Sequence, residues 1–266
     1  MKIYGCWICY NNKPTIRKSI LSVHKYLDEI IIIDGNFDGK GTCSNDGTQE
    51  EILSLMEELE TPIITYRPSY ARSLYHKHNE HVTMTGNFDP DVWTWQVDSD
   101  EIYLPEHARN VYECIKSNQF NGIGVKLVTV SRIDEEGRYY THNDIDTAYT
   151  TQMRIYRMHN GIHFSTRDGI FEHIIYDNGQ PVEKLGNKVF YNNDKLKVFN
   201  YHCFDDMEKE VKRRQHYGVK NPENNAEMTR SAENNNVLVS RHPWVLNEPE
   251  LIGSNIPNTT PKGEQT

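Results

Sequence analysis

Apolar positions in the first hundred residues follow two spacings, one suited to strands and one to helices. Residues 2–9 are apolar and β-prone and are bounded by Asn11, Asn12 and Pro14, which predicts a first strand. Ile16, Ile20, Leu21 and Val23 recur at helical spacing, predicting a helix over residues 15–26 with Thr15 as its N-cap. Residues 29–33 form a run that is apolar after Glu29 and ends at Asp34, as expected of a strand buried on both faces in a parallel sheet. A Gly-, Asn- and Asp-rich loop over 35–47 leads to a second amphipathic helix over 48–59 and a third strand over 63–66. A helix over 69–82, a fourth strand over 92–97 and a helix over 105–117 complete this half.

The resulting β-α-β-α-β order with short crossovers predicts an α/β domain, with a mostly parallel central sheet and helices on both faces. After residue 120 strands dominate, over 122–131, 151–156 and 170–175, followed by a charged helix over 206–216. Beyond Asn221 the chain is rich in Asn, Glu and Pro. The expected division is a domain over 1–217 and a polar extension over 218–266.

Composition narrows the function. A formal net charge of −9 counts against a sequence-independent nucleic-acid binder, and the basic run Lys209–Arg214 reads as a solvated helix face. The five cysteines are odd in number and scattered, favouring a reducing, cytoplasmic setting over a disulfide framework. No stretch approaches the roughly 20 apolar residues of a membrane span.

The acidic cluster carries the strongest chemical signal. In Trp93-Thr-Trp-Gln-Val-Asp98-Ser-Asp100-Glu101 two carboxylates, two residues apart, directly follow a buried strand. The carboxyl end of a parallel strand is where α/β sheets bind ligands, and hard oxygen donors suit Mg²⁺ or Mn²⁺ bridging a diphosphate. The same residues read equally well as an acidic turn capping the next helix. Asp34 ends a strand at a Gly/Asp loop, where it could meet a ribose or base or simply form an Asx-turn.

In order and spacing, Tyr10-Asn11, Ser19-Ile-Leu-Ser-Val23, Asp28 to Asp34-Gly35, Ser44-Asn-Asp-Gly-Thr48 and Val97-Asp-Ser-Asp-Glu101 resemble family 2 glycosyltransferases of the GT-A (nucleotide-diphospho-sugar transferase) fold. The family's Asp-Gly-Ser-x-Asp-Gly-Thr stretch is split here, Asp34-Gly35 opening it and Ser44–Thr48 closing it around an insertion. Met153-Arg-Ile-Tyr-Arg157, Gly161-Ile-His-Phe164 and Phe171-Glu172 resemble the family's arginine-rich strand and His-Glu element, with Phe171 in place of the histidine. Tyr201-His202 resembles a C-terminal metal- or diphosphate-site histidine.

The resemblance implies a metal-dependent, inverting transfer of sugar from a nucleotide-sugar donor, with a UDP-sugar favoured. The acceptor would be a glycan, a protein or another hydroxyl compound. It implies Asp34 at the nucleoside, Tyr10 beneath the base, Asp98 on ribose or metal, and Asp100 on Mn²⁺ or Mg²⁺ with His202. Glu172 would be the general base. Arg72 and Lys77 both lie where the family places a cation near the nucleotide, and the sequence does not choose between them.

Other readings are weaker. Asp34-x-Asn36-x-Asp38-Gly39 opens like a calcium loop but has Asn45 at its twelfth position. Cys6 and Cys9 would point to opposite faces of a strand and so be two buried thiols. Helical spacing aligns only His78 and His81 among His76, His78 and His81, so solvent-exposed histidines are expected. A sugar nucleotidyltransferase would need a Gly-rich basic signature after the first strand, and Tyr10-Asn-Asn-Lys-Pro14 is not one. A non-catalytic carbohydrate- or calcium-binding module would need no nucleotide.

Overall fold

A computed structural model describes residues 1–36, 39–60, 62–72, 74–85, 91–133, 139–141, 151–158, 162–167, 171–175, 189–191 and 195–200. The expected helix at 206–216, the polar extension and His202 lie outside the described residues.

Strands β1 (Lys2–Cys9), β2 (Glu29–Asp34), β3 (Ile63–Pro68) and β4 (Val92–Asp98) lie parallel in the order β3-β2-β1-β4. Helix α1 (Lys13–Val23) with a 3₁₀ turn at His24–Tyr26, α2 (Thr48–Glu58) and α4 (Pro105–Ser117) form one layer; α3 (Leu74–Thr85) packs against β1 and β2 on the other face.

Side chains of β1 divide accordingly. Ile3, Trp7 and Cys9 join the main core with Ile16, Ile20, Ile52 and Val111, whereas Cys6 and Ile8 meet Ile31, Ile33 and Met84. Cys6 and Cys9 are thus free buried thiols on opposite faces, as the strand period requires. Gly5 makes room for Trp7, since a β-carbon there would lie 2.5 Å from the indole ring.

The second half adds β5 (Glu101–Ile102), β6 (Gly122–Ile133), β7 (Tyr139–Thr141) and β8 (Thr151–Arg157). It continues with β9 (His163–Arg167), β10 (Phe171–Ile175), β11 (Val189–Tyr191) and β12 (Lys197–Asn200). β8 runs antiparallel between β4 and β6, and β12 and β5 extend the same sheet. β9 and β10 form a separate antiparallel hairpin. The mostly parallel sheet with helices on both faces is therefore present, extended by a mixed half in which β6 pairs antiparallel with β7 and β8 and parallel with β11 and β12.

Several expectations are corrected. α1 begins at Lys13, with Asn12 at the N-cap and Pro14 in the first turn, where a missing N–H costs nothing; Thr15 lies inside the helix. Residues 69–72 are not helical, because the Ser69 N–H bonds the Asp34 carbonyl at 2.7 Å and holds that segment beside β2. His78 and His81 are buried, and only His76 is exposed. The reason is that α3 is covered on both sides. His81 Nε2 lies 2.8 Å from the Trp7 carbonyl on the sheet side, and the His78 ring stacks on Phe164 of β9 at 4.7 Å.

Candidate active site

The order β3-β2-β1-β4 places a topological switch between β1 and β4. The first crossover leads from β1 to β2 on one side, and the later chain returns to β4 on the other. Ligands of open α/β sheets bind in the crevice outside the carboxyl ends of such strands. The strand ends there carry Cys9-Tyr10, Asp34-Gly35 and Asp98, so the geometry brings together three of the residues singled out in the sequence.

The split motif closes in space. Ser44 donates its N–H to Asp34 Oδ2 at 2.9 Å and its hydroxyl to Oδ1 at 2.5 Å. The Tyr66 hydroxyl donates to Oδ2 at 2.8 Å. Asp34 therefore makes no Asx-turn; its buried carboxylate ties the end of β2 to Ser44 and to β3. The insertion is pinched off by the Asn36 N–H on the Thr42 carbonyl, 2.8 Å. Within it Gly39 and Gly41 take φ of 72° and 75°, and β-carbons there would lie 2.7 Å from Arg72 Nε and 2.6 Å from Tyr70 Cε1. Arg72 and Tyr70 are exposed and lie over the insertion.

Asp46 joins the two helix starts behind this loop. Its Oδ2 accepts from the Lys13 N–H of α1 at 3.1 Å, and its Oδ1 accepts from the Thr48 N–H and hydroxyl of α2 at 3.0 and 2.5 Å. Those hydrogen bonds hold its carboxyl below the usual range against the opposing effect of burial.

The acidic cluster is not a helix cap. Glu101 begins β5, and α4 starts after Leu104 with no side-chain cap. Asp98 is positioned from behind by Ser19 of α1, whose hydroxyl donates to the Asp98 carbonyl at 3.2 Å and accepts from Trp7 Nε1 at 2.9 Å. Arg154 on β8 donates to Asp98 Oδ2 at 2.6 Å and to Glu101 Oε1 at 2.5 Å. Glu101 Oε2 in turn accepts the Asp98 N–H at 3.1 Å.

Burial pushes the Glu101 carboxyl up, opposed by the Arg154 charge and reinforced by Asp98 and Asp100. Burial disfavours the Arg154 charge too, but Asp98 and Glu101 outweigh it and keep the guanidinium protonated. Asp98 keeps 30% of its side-chain surface accessible, and Asp100 is half-buried beside it. Two partly accessible carboxylates fit a hard divalent ion that also takes phosphate oxygens and water. Among the described residues no three His, Cys, Asp or Glu side chains form a closed metal cage.

Sequence analysis placed Arg154 in the arginine-rich strand motif and Glu101 in the acidic cluster but gave neither a role; a charged residue in the otherwise apolar segment Met153-Arg-Ile-Tyr is a further signal for Arg154.

The two cation candidates separate. Arg72 is exposed above the insertion, whereas Lys77 is buried, its Nζ 2.8 Å from the Cys9 carbonyl and 2.6 Å from the Gly35 carbonyl. Glu172 lies on β10, opposite Thr166 of β9. That hairpin is docked on α3, where Asn79 donates to the Phe164 carbonyl and accepts its N–H at 2.9 and 2.7 Å.

No helix among the described residues is long and apolar enough to cross a membrane. Among solved structures, the chain is similar to S. aureus TarS 1-349, with 15% identity, a TM-score of 0.48, and coverage of 81% of this chain and 65% of that one. It is also similar to a longer S. aureus TarS structure, with 14% identity, a TM-score of 0.49, and coverage of 85% and 42%. The chain thus spans less than two-thirds of the length of either. No curated protein matches it significantly. The sequence model of glycosyl transferase family 2 matches residues 6–179, more than half of the chain. With this match, the parallel β3-β2-β1-β4 core and the carboxylate-lined switch point, the chain belongs to glycosyl transferase family 2 and has the GT-A fold.

Proposed function

We propose that the protein transfers a sugar from a UDP-sugar to an acceptor hydroxyl with inversion, using Mn²⁺ or Mg²⁺. The observation that supports this reading best is the Asp98–Arg154–Glu101 arrangement at the carboxyl end of β4. It presents a fixed, partly accessible carboxylate beside Asp100 at the switch point. Family membership sets aside the sugar nucleotidyltransferase and the non-catalytic binding module. Among the described residues Cys6, Cys9, Cys43 and Cys114 are free, in keeping with a reaction in the reducing cytoplasm.

In this reading Tyr10 lies beneath the base, and Asp34 serves the nucleoside indirectly by fixing Ser44 and Tyr66. Arg72 offers the exposed cation. Asp98 and Asp100 hold the divalent ion, with His202 as a further ligand. The ion, when bound, supplies positive charge that stabilises the departing diphosphate. Glu172 accepts the acceptor's hydroxyl proton as that oxygen bonds to the anomeric carbon and the carbon–oxygen bond to the diphosphate breaks.

The test is thermal stabilisation of the full chain by UDP, measured in Mn²⁺ and in EDTA. A larger shift with Mn²⁺ is expected. Equal shifts would remove the metal-bridged diphosphate, and no shift in either would remove the uridine donor.

A further inference from the structure

Lys77 was one of two candidate cations near the nucleotide, a place where it could meet phosphate, but its surroundings give it different work. Its ammonium group lies inside the protein, on α3, beneath the point where β1 and β2 end. Its ammonium donates to two main-chain carbonyls, of Cys9 at the last residue of β1 and of Gly35 just past β2. The Cys9 carbonyl also accepts the Gly35 N–H at 3.0 Å, so one oxygen joins the two strand ends and the lysine locks the join. The buried Gly35 carbonyl lies past the ladder and needs a partner, which Lys77 supplies. A charged donor with two such acceptors is among the stronger hydrogen-bonded arrangements.

The two tied residues adjoin the crevice. Cys9 precedes Tyr10, and Gly35 follows Asp34 and opens the insertion carrying Gly39 and Gly41. Burial lowers the Lys77 pKa, while Cys9, Asp34, Glu80 and Cys43 favour its charged form.

We infer that Lys77 is a positioning residue, which clamps the carboxyl ends of β1 and β2 into the floor of the nucleoside site and does not touch the donor's phosphates. This rests on the proposed uridine-nucleotide donor for one arm of its test only. A phosphate ligand and a clamp differ in which part of the nucleotide suffers when they are lost. Loss of a phosphate ligand weakens UDP and UMP but spares uridine. Loss of the clamp weakens all three by the same factor.

The experiment uses Lys77→Met and Lys77→Gln in the full chain, the amide of Gln retaining one donor should Met fail to fold. Amide hydrogen exchange is read at Gly35, with core amides of β4 as the internal reference. Gly35 is expected to exchange about tenfold faster or more in the variants while β4 stays protected. Unchanged Gly35 protection would overturn the clamp, as would equal loss of protection throughout the sheet.

Uridine, UMP and UDP affinities are then measured by calorimetry well below the melting temperature. An equal loss for all three, about tenfold, is expected. A loss confined to UMP and UDP would restore Lys77 as a phosphate ligand. If the unmodified protein binds none of the three, the uridine-donor reading fails on its own, and the exchange result still decides the clamp.

Discussion

Arg154 and Asp98 stand 56 residues apart in sequence and 2.6 Å apart in space, joining the mixed half of the sheet to the last residue of β4. The same guanidinium nitrogen lies 2.5 Å from Glu101, so one cation orients both carboxylates. Arg154→Met should leave Glu101 buried without its counter-charge and free Asp98 to swing. Removing one partner of a buried pair costs about 3–5 kcal/mol, and Arg154→Lys should recover only part of it because the shorter side chain must stretch to bring its ammonium between both carboxylates. Urea unfolding with donor hydrolysis checks this. A variant with ordinary stability and turnover would show the triad to be incidental.

Asp100 carries a sharper expectation. Asp100→Asn should preserve the melting temperature within a few degrees and lower turnover by about 10²-fold or more, since an amide is a poorer ligand for a hard cation. The measurement is rate against Mn²⁺ concentration. An unchanged metal dependence at a near-normal rate would take Asp100 out of the metal site.

Glu172→Gln should slow transfer by roughly 10²-fold or more while donor affinity survives. Calorimetry for the donor and a rate with a working acceptor decide it together. Loss of both points to a structural role for β10. A normal rate moves the base elsewhere, with Asp168 the next carboxylate to test.

Stability should depend on pH through His81. Burial, together with the nearby charges of His78, Lys77 and Arg67, sets its folded pKa well below the ordinary 6.5, against the Trp7 carbonyl that favours protonation. The sign follows from proton counting. Between 6.5 and the lower folded pKa the unfolded chain binds a proton that the folded chain does not, so stability falls as pH falls through that window. His24, lowered chiefly by burial, acts in the same direction. Each such group contributes at most about 1.4 kcal/mol per pH unit. Melting temperatures from pH 7.5 to 5.5 should decline less steeply in His81→Gln than in the unmodified protein. Parallel declines would exclude His81.

Gly5→Ala tests the packing around Trp7. The added methyl would lie 2.4 Å from Leu27 Cδ1 and 2.5 Å from the indole, so β1 or the ring must shift. A loss of about 1–3 kcal/mol is expected by urea denaturation. Neutrality would mean that the 3₁₀ turn and Leu27 move aside freely.

The first half of the fold was legible because its signals are local. Residues 30–33 are four isoleucines in a row, and Pro105–Ser117 carries a helical stripe, so their type follows from the chain alone. Asp34 and Ser44 were recognisable as two ends of one motif, and the structure closes them onto each other. The rest depends on distant partners. β5 has two residues and β11 three, too short for any period to show. The burial of His78 follows from a hairpin some 85 residues later, and the parts of Arg154 and Glu101 exist only once β8 lies beside β4. Lys77 was noticed for its charge, but its place beneath two strand ends is a property of how α3 packs.

The order β3-β2-β1-β4 also has a consequence for synthesis. β1 is made before both of its neighbours, and the second is completed only at Asp98. Once β2 is made, an apolar strand with Ile3, Trp7 and Ile8 keeps one open ladder edge while the ribosome adds the 64 residues from Gly35 to Asp98. Such an edge is a template for pairing with other chains. The nascent protein is therefore most exposed to aggregation just before the acidic cluster emerges, and the arrival of β4 completes the switch point and seals that edge in the same event.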